Sequence, residues 1–180
     1  MTKIKITGLK KEMSTTGTGA SFTSGTGAQY ATPKAFKKKD ENLKYYLAAL
    51  QKYKVVGIEG YPSSLFALAK YMLAKKETFP VRAVLTTSET LVPVQKEVIM
   101  QAFQCNVYDY YGMAERIAAI HTCEHGSYHL VSEYSHVEFI QGDGLRKGNY
   151  ELIGTSLSNF SMPLIRYRVG DVIRPGNKTC

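Results

Sequence analysis

At 180 residues the chain is long enough for one domain with a sizeable core and does not require two. A hydrophobic share of 44% with 21% charged residues excludes a wholly disordered polypeptide, and no apolar run reaches the roughly 18 to 20 residues of a membrane span. The formal charge of +8, part of it in the run Lys37-Lys38-Lys39, suits any polyanion and selects none; a solvated basic face is the simpler account.

The opening, Met1 to Met13, is basic but has no apolar centre, so it does not read as a secretory signal, and a cytoplasmic location is the default expectation. Cys105, Cys123 and Cys180 make an odd number, which argues for thiols or metal ligands rather than a disulfide framework.

Taken in chain order, residues 14–33 are almost entirely Gly, Ser, Thr and Ala and read as a loop with little to bury. From Asp40, a candidate cap, Leu43, Tyr46, Leu47, Leu50 and Tyr53 recur at helical spacing. Val55, Val56 and Ile58 predict a short buried strand closed by Gly60 and Pro62. Ser63 or Ser64 then caps a second helix carrying Leu65, Leu68, Ala69, Met72 and Leu73 on one face. Val81 to Leu85 predicts a strand, Pro93 to about Phe103 a helix and Asn106 to Tyr110 another strand.

This alternation implies a parallel sheet with flanking helices. After about Ala118 the apolar period becomes two, with strands expected over 118–123, 127–133, 136–141, 150–156 and 164–174. The expected fold class is therefore α/β, a parallel sheet with flanking helices followed by a mainly antiparallel β portion. The expected divisions are a loop-rich segment over 1–39, a parallel-sheet portion over 40–117 and a β-rich portion over 118–180.

Ligands of open parallel sheets bind outside the carboxyl ends of strands, and three polar clusters fall at such ends. They are Gly60-Tyr61-Pro62-Ser63-Ser64, Thr86-Thr87-Ser88-Glu89, and Tyr110-Tyr111-Gly112-Met113-Ala114-Glu115-Arg116. Tyr111 can stack on a base, Gly112 permits close backbone approach, and Glu115 can hold Mg²⁺ beside a phosphate. Further on, Arg166 and Arg168 alternate with apolar residues along a strand, and Asp171 follows Gly170 where a carboxylate can accept from two vicinal hydroxyls. Each cluster alone is an ordinary turn or surface strand; their order is the signal.

The segments GYPSSL (60–65), TTSETL (86–91), YYGMAER (110–116), CEHGSYHL (123–130) and TSLSNFSMPLIRYRVGD (155–171) resemble, in order, those of the phenylacetate–CoA ligases and their capsular-polysaccharide relatives. That resemblance implies the large N-terminal domain of an adenylate-forming enzyme. Such an enzyme uses ATP to convert a small-molecule carboxylic acid to an acyl-adenylate and passes the acyl group to a thiol, usually that of coenzyme A. Carried over by position, Ser88 and Glu89 would border the adenine pocket, Tyr111 would stack on adenine, and Gly112 and Arg168 would belong to the nucleotide site. Glu115 would bind Mg²⁺, Asp171 would grip the ribose, Arg166 would face ribose or phosphate, and the acyl group would lie near Tyr61 to Ser64 and Met113.

Two positions depart from the family pattern: Ala114 where Ser or Thr is frequent, and Val169 where Thr is common, each removing a polar contact. Thr23-Ser24-Gly25-Thr26-Gly27-Ala28 resembles the family's phosphate loop, but it stands much nearer Gly60 than in relatives, which favours a low-complexity linker over a working loop. No residue matches the lysine that relatives carry on a later domain, so the expectation is a fragment lacking its C-terminal domain, weak in nucleotide binding and inactive alone. The resemblance also suggests a zinc site built from Cys123, His129 and Cys180, with His125 or water as substitute; surface histidines and unrelated cysteines are as good an account.

The rival from another class is a non-catalytic, zinc-stabilised assembly domain. A nucleic-acid-binding module ranks last, because the basic residues lack interleaved aromatics, so no nucleic-acid partner is expected. Oligomeric state is open.

Overall fold

A computed structural model describes residues 20–25, 28–33 and 40–176. The chain divides into two compact units, Met1–Asp109 and Tyr110–Cys180, and β5 (Val107–Gly112) runs through the division.

In the first unit, β1 (Ala20–Gly25) and β2 (Ala28–Pro33) form an antiparallel pair in which Gly25 faces Ala28. The loop expected over 14–33 is thus corrected where the structure describes it: the small residues of 20–25 and 28–33 are in ladders. A Gly/Ser/Thr/Ala segment has no apolar face by which a period of two could be read, so its strands leave no mark in hydropathy. Of the candidate phosphate loop, Thr26 and Gly27 lie outside the described residues, and 23–25 and Ala28 belong to strands.

α1 (Asp40–Lys52), β3 (Gly57–Gly60), α2 (Pro62–Ala74), β4 (Ala83–Thr87) and α3 (Pro93–Phe103) follow in the expected alternation. The strands neighbour one another in the order β1-β2-β3-β4-β5, and the β2–β3 and β3–β4 pairs are parallel. Two strand starts are displaced from the sequence reading. Val55 is buried but its N–H is spent on the Leu50 carbonyl, so the ladder begins only at Gly57. Val81 bonds the Phe103 carbonyl, and β4 begins at Ala83. Both valines are core residues that precede their strands, which hydropathy cannot distinguish from strand members.

Leu43, Tyr46, Leu47 and Leu50 of α1, Ile58 of β3, Leu65, Leu68 and Met72 of α2, Val84 of β4 and Ile99 and Phe103 of α3 form one buried cluster. α2 packs on both α1 and α3. Burying each such side chain contributes about 1.5–3 kcal/mol, so the helical layer fixes the positions of the strand ends it covers. Among the described residues no helix is long and apolar enough to cross a membrane.

The second unit is antiparallel throughout, as the period of two implies. The end of β5 pairs with β6 (Ala119–Thr122), which pairs with β7 (Tyr128–Leu130). A separate three-stranded sheet orders β10 (Tyr167–Ile173), β9 (Tyr150–Ser156) and β8 (Ser135–Ile140). Its small core is Ile117, Ala118 and Leu152, with Tyr111, Met113, Val137 and Val169 packed against it.

Candidate functional site

Six residues other than glycine have positive φ: Lys54, Lys76, Ser88, Gln104, Arg116 and Arg166. Lys54, Lys76 and Gln104 lie just past the ends of α1, α2 and α3, where a left-handed residue is the ordinary way to stop a helix. Ser88 (φ 69°), Arg116 (φ 59°) and Arg166 (φ 48°) follow no helix, and each falls in one of the polar clusters picked out from the sequence. A left-handed conformation costs a side-chain-bearing residue on the order of 1–2 kcal/mol, and such strain concentrates where side chains must be aimed.

In the first unit, Ser88 and Glu89 follow β4 and are exposed. Glu89 reaches the start of α2: the Ser63 amide donates to its Oε2 at 2.9 Å and the Ser63 hydroxyl to its Oε1 at 3.0 Å. The expectation that Ser63 or Ser64 caps this helix is corrected. Tyr61 occupies the N-cap without a side-chain bond, Pro62 holds the first turn, and the acceptor comes from Glu89. Pro62 has no N–H to satisfy, so the first donor needing a partner is that of Ser63, and a carboxylate there also meets the positive end of the helix. A second pair in this unit escaped the sequence reading: the Thr86 hydroxyl donates to Asp109, and both residues are buried. A groove of about 530 Å³ in the helical layer includes Ser63 in its wall, with Leu43, Phe66, Lys70 and Tyr71.

In the second unit, the Tyr111 hydroxyl donates to Asp171 Oδ2 at 2.6 Å. The pairing depends on an irregularity of β10. Arg168 faces Ile153 and Val172 faces Glu151, so Val169, Gly170 and Asp171 stand opposite Leu152 alone. Gly170 takes φ 83° within this bulge, a conformation glycine adopts without a Cβ penalty. The bulge gives the Asp171 carboxylate its own direction, while Val169 is tucked against the Ile117–Leu152 core. That packing accounts for an apolar residue at 169.

Burial pushes the Tyr111 phenol well above its ordinary value, reinforced by its bond to Asp171 and by the negative charges of Asp171 and Glu115. Tyr111 therefore stays a donor at neutral pH. Glu115 is half-buried and has no hydrogen bond or ion pair among the described residues. A carboxylate without an ion pair among the described residues is a donor of the kind Mg²⁺ takes, since that ion uses one or two protein carboxylates and completes its shell with water and phosphate.

Gly112 ends β5, and a Cβ there would come within 2.5 Å of the Tyr110 hydroxyl oxygen and 2.6 Å of its ring. The close approach expected at this glycine is made by the neighbouring tyrosine. Burial raises the Tyr110 phenol, as does the proximity of Tyr134, while Arg116 opposes the shift.

The two arginines differ. Arg168 forms a two-point bond with Glu151, Nε to Oε1 at 2.9 Å and Nη2 to Oε2 at 2.5 Å. This bond raises the guanidinium and lowers the Glu151 carboxyl from its ordinary range. Arg166 gives only Nε, to Glu138 Oε2 at 2.9 Å. Neither glutamate was singled out from the sequence. Only the strand register tells which arginine each faces.

The expected metal ligands are less complete. Cys123 is half-buried beyond β6 and His129 lies on β7 opposite His121, but among the described residues no group of three or more His, Cys, Asp or Glu could hold a metal ion. Cys180 lies outside the described residues. The donors among the described residues do not make up a tetrahedral zinc site.

An α/β unit whose strand ends carry these clusters, followed by an antiparallel unit with an arginine- and aspartate-bearing strand, is the fold of the N-terminal domain of adenylate-forming ligases. Crystal structures of 2-hydroxyisobutyryl-CoA ligase match it: the open conformation with 2-HIB-AMP and CoA at TM-score 0.60 and 22% identity, over 72% of this chain and 31% of that one. The postadenylation state with R3-HIB-AMP matches at TM-score 0.61 and 22% identity, over 72% and 30%. Coronafacic acid ligase from Pectobacterium brasiliense matches at 0.53 with 12% identity, over 77% and 31%.

In sequence the chain is 30% identical over 146 residues to Protein CapK of Staphylococcus aureus, covering 80% of this chain and 32% of CapK. No protein-family model matches. The chain thus resembles the adenylate-forming ligases in fold and CapK in sequence, and it spans about a third of the length of these proteins.

Proposed function

We propose that this chain carries the nucleotide-facing part of an enzyme that activates a carboxylic acid with ATP to an acyl-adenylate, for transfer to the thiol of coenzyme A. The observation that carries the reading is the joint presentation, in the second unit, of the Tyr111–Asp171 pair and the Glu115 carboxylate, which has no ion pair among the described residues. Tyr111 offers its ring to adenine, Asp171 accepts from the ribose hydroxyls, and Glu115 holds Mg²⁺. Arg166 faces the phosphate or ribose, where in-line attack on the α-phosphate builds negative charge that cations offset. Ser88, Glu89 and Gly112 belong to the adenine-bordering segments. Arg168, already matched by Glu151, shapes the strand that bears Asp171.

The likeness of fold to coenzyme A ligases solved with acyl-adenylates supports this reading. So does the strain that gathers at Ser88, Arg116 and Arg166.

The decisive measurement is calorimetric titration of the chain with ATP and Mg²⁺, with AMP, and with GTP as control. Binding of ATP that is weakened roughly tenfold by Asp171→Ala, with GTP bound no better than inorganic triphosphate, is the expected result. Equal heats for ATP and GTP, untouched by that substitution, contradict the proposal. Pyrophosphate exchange with a panel of aryl and aliphatic acids then tests acid activation.

A further inference from the structure

We infer that Glu138 and Thr155 are positioning residues for Arg166: they hold its stem and Nε so that its two terminal nitrogens are delivered to an anionic ligand. The inference rests on the assignment of Arg166 to the nucleotide site. It adds Glu138, which lies in none of the sequence motifs, and gives a role to Thr155, the first residue of the 155–171 segment.

Arg166 is gripped at two points on one sheet. Its amide donates to Thr155 Oγ1 at 2.9 Å, and its Nε donates to Glu138 Oε2 at 2.9 Å. The first bond anchors the backbone in its φ of 48°, a conformation uncommon for a residue that bears a side chain. The second fixes the rotation of the guanidinium plane, because the five donors of arginine form a rigid fork. Ser135 faces Ser156 and Glu138 faces Ile153, so Glu138 on β8 and Thr155 on β9 belong to the same stretch of ladder and act on Arg166 together.

Stability does not account for this arrangement. The Arg166 side chain is 62% exposed, and exposed ion pairs contribute only about 0–1 kcal/mol. Arg168 provides the internal contrast. Glu151 takes both Nε and Nη2 of Arg168, whereas Nη1 and Nη2 of Arg166 have no partner among the described residues. Two arginines one residue apart on alternate positions are therefore put to different uses, one closed onto its own sheet and one presented outward. A guanidinium with Nε satisfied and its terminal pair unoccupied matches two oxygens of a phosphate.

The test compares calorimetric affinities for ATP and for adenosine in the unaltered chain and in Arg166→Gln, Glu138→Ala, Glu138→Gln and Thr155→Val, each checked for an unchanged circular dichroism spectrum and melting temperature. Arg166→Gln should weaken ATP about tenfold and leave adenosine unaffected. Glu138→Ala and Thr155→Val should each weaken ATP about threefold, again sparing adenosine, and Glu138→Gln, which keeps an acceptor for Nε, should restore most of the loss. If removing the Glu138 carboxylate in both variants tightens ATP instead, the glutamate merely neutralises the arginine and the positioning role is wrong. If Arg166→Gln weakens ATP while Glu138→Ala and Thr155→Val do not, the positioning role is again wrong and the site assignment stands. If Arg166→Gln has no effect, the site assignment itself fails.

Discussion

Tyr111 and Asp171, 60 positions apart, meet in a hydrogen bond of 2.6 Å whose donor is the phenol. The bond requires a protonated Tyr111, and burial and the carboxylate together push its ionisation up. The folded state thus keeps a proton that the unfolded chain releases near pH 10. The contribution to stability is complete below about pH 10 and declines as the pH climbs beyond it. Tyr111→Phe should cost about 1 kcal/mol at neutral pH and should flatten the alkaline fall in melting temperature relative to the unaltered chain. Equal alkaline slopes in the two proteins, followed by thermal melts between pH 8 and pH 11, contradict the assignment of that fall to Tyr111.

The Glu89 carboxylate accepts from both the amide and the hydroxyl of Ser63 at the first turn of α2, a helix whose own N-cap, Tyr61, supplies no acceptor. Loss of an N-terminal acceptor costs roughly 0.5–2 kcal/mol. Glu89→Ala should lower stability by about 1 kcal/mol, and Glu89→Gln, which retains one acceptor oxygen but not the charge, by less. Chemical denaturation measures both. A Glu89→Ala variant as stable as the parent would refute the capping role.

The order of elements was legible in the sequence because amphipathic periods and turn residues are local. α1 and α3 fall where Leu43 to Tyr53 and Pro93 to Phe103 placed them, and the change to antiparallel pairing follows the change of period. The β1–β2 pair was not legible, since its residues are mostly Gly, Ser, Thr and Ala and show no apolar period. Among site residues, Tyr111, Glu115, Arg166 and Asp171 were visible as types suited to a nucleotide. The partners of the two arginines, Glu138 and Thr155 for Arg166 and Glu151 for Arg168, were not, because cross-strand neighbours are set by register and by the bulge at Val169–Asp171. Ser63 was misread as a cap since a local hydroxyl is the usual source of that bond, and here a residue 26 positions away supplies it.

Gly112 and Gly154 offer a graded test of close packing in the second unit. A Cβ at Gly154 would lie 2.3 Å from the Ile117 carbonyl oxygen, a backbone atom that cannot swing aside. At Gly112 the obstacle is the Tyr110 side chain, at 2.5 Å. Overpacking typically costs about 1–3 kcal/mol, so Gly154→Ala should sit at the upper end and Gly112→Ala below it. Gly112→Ala should in addition alter the tyrosine near-ultraviolet circular dichroism, because Tyr110 must move to admit the methyl. Urea titrations that rank Gly112→Ala as the more damaging would refute the packing described for Ile117 against β9.

Cys105 follows the left-handed Gln104 at the end of α3 and packs half-buried against the first core. Burial pushes its thiol up to about 11, with a backbone hydrogen bond from Val84 opposing the shift. At pH 8 only about one thiol in a thousand is then ionised, against roughly a quarter for an ordinary cysteine near 8.5. Since the thiolate is the reactive form, alkylation of Cys105 by iodoacetamide, followed peptide by peptide by mass spectrometry, should be at least a hundredfold slower than that of free cysteine at pH 8. The rate should rise about tenfold per pH unit up to the limit of the folded range. In urea the difference should vanish, because the cause is the packing of α3 and not the local sequence. A native rate matching the unfolded one at pH 8 would mean that Cys105 is open to solvent, and the apolar seat between α3 and β5 would have to be redrawn.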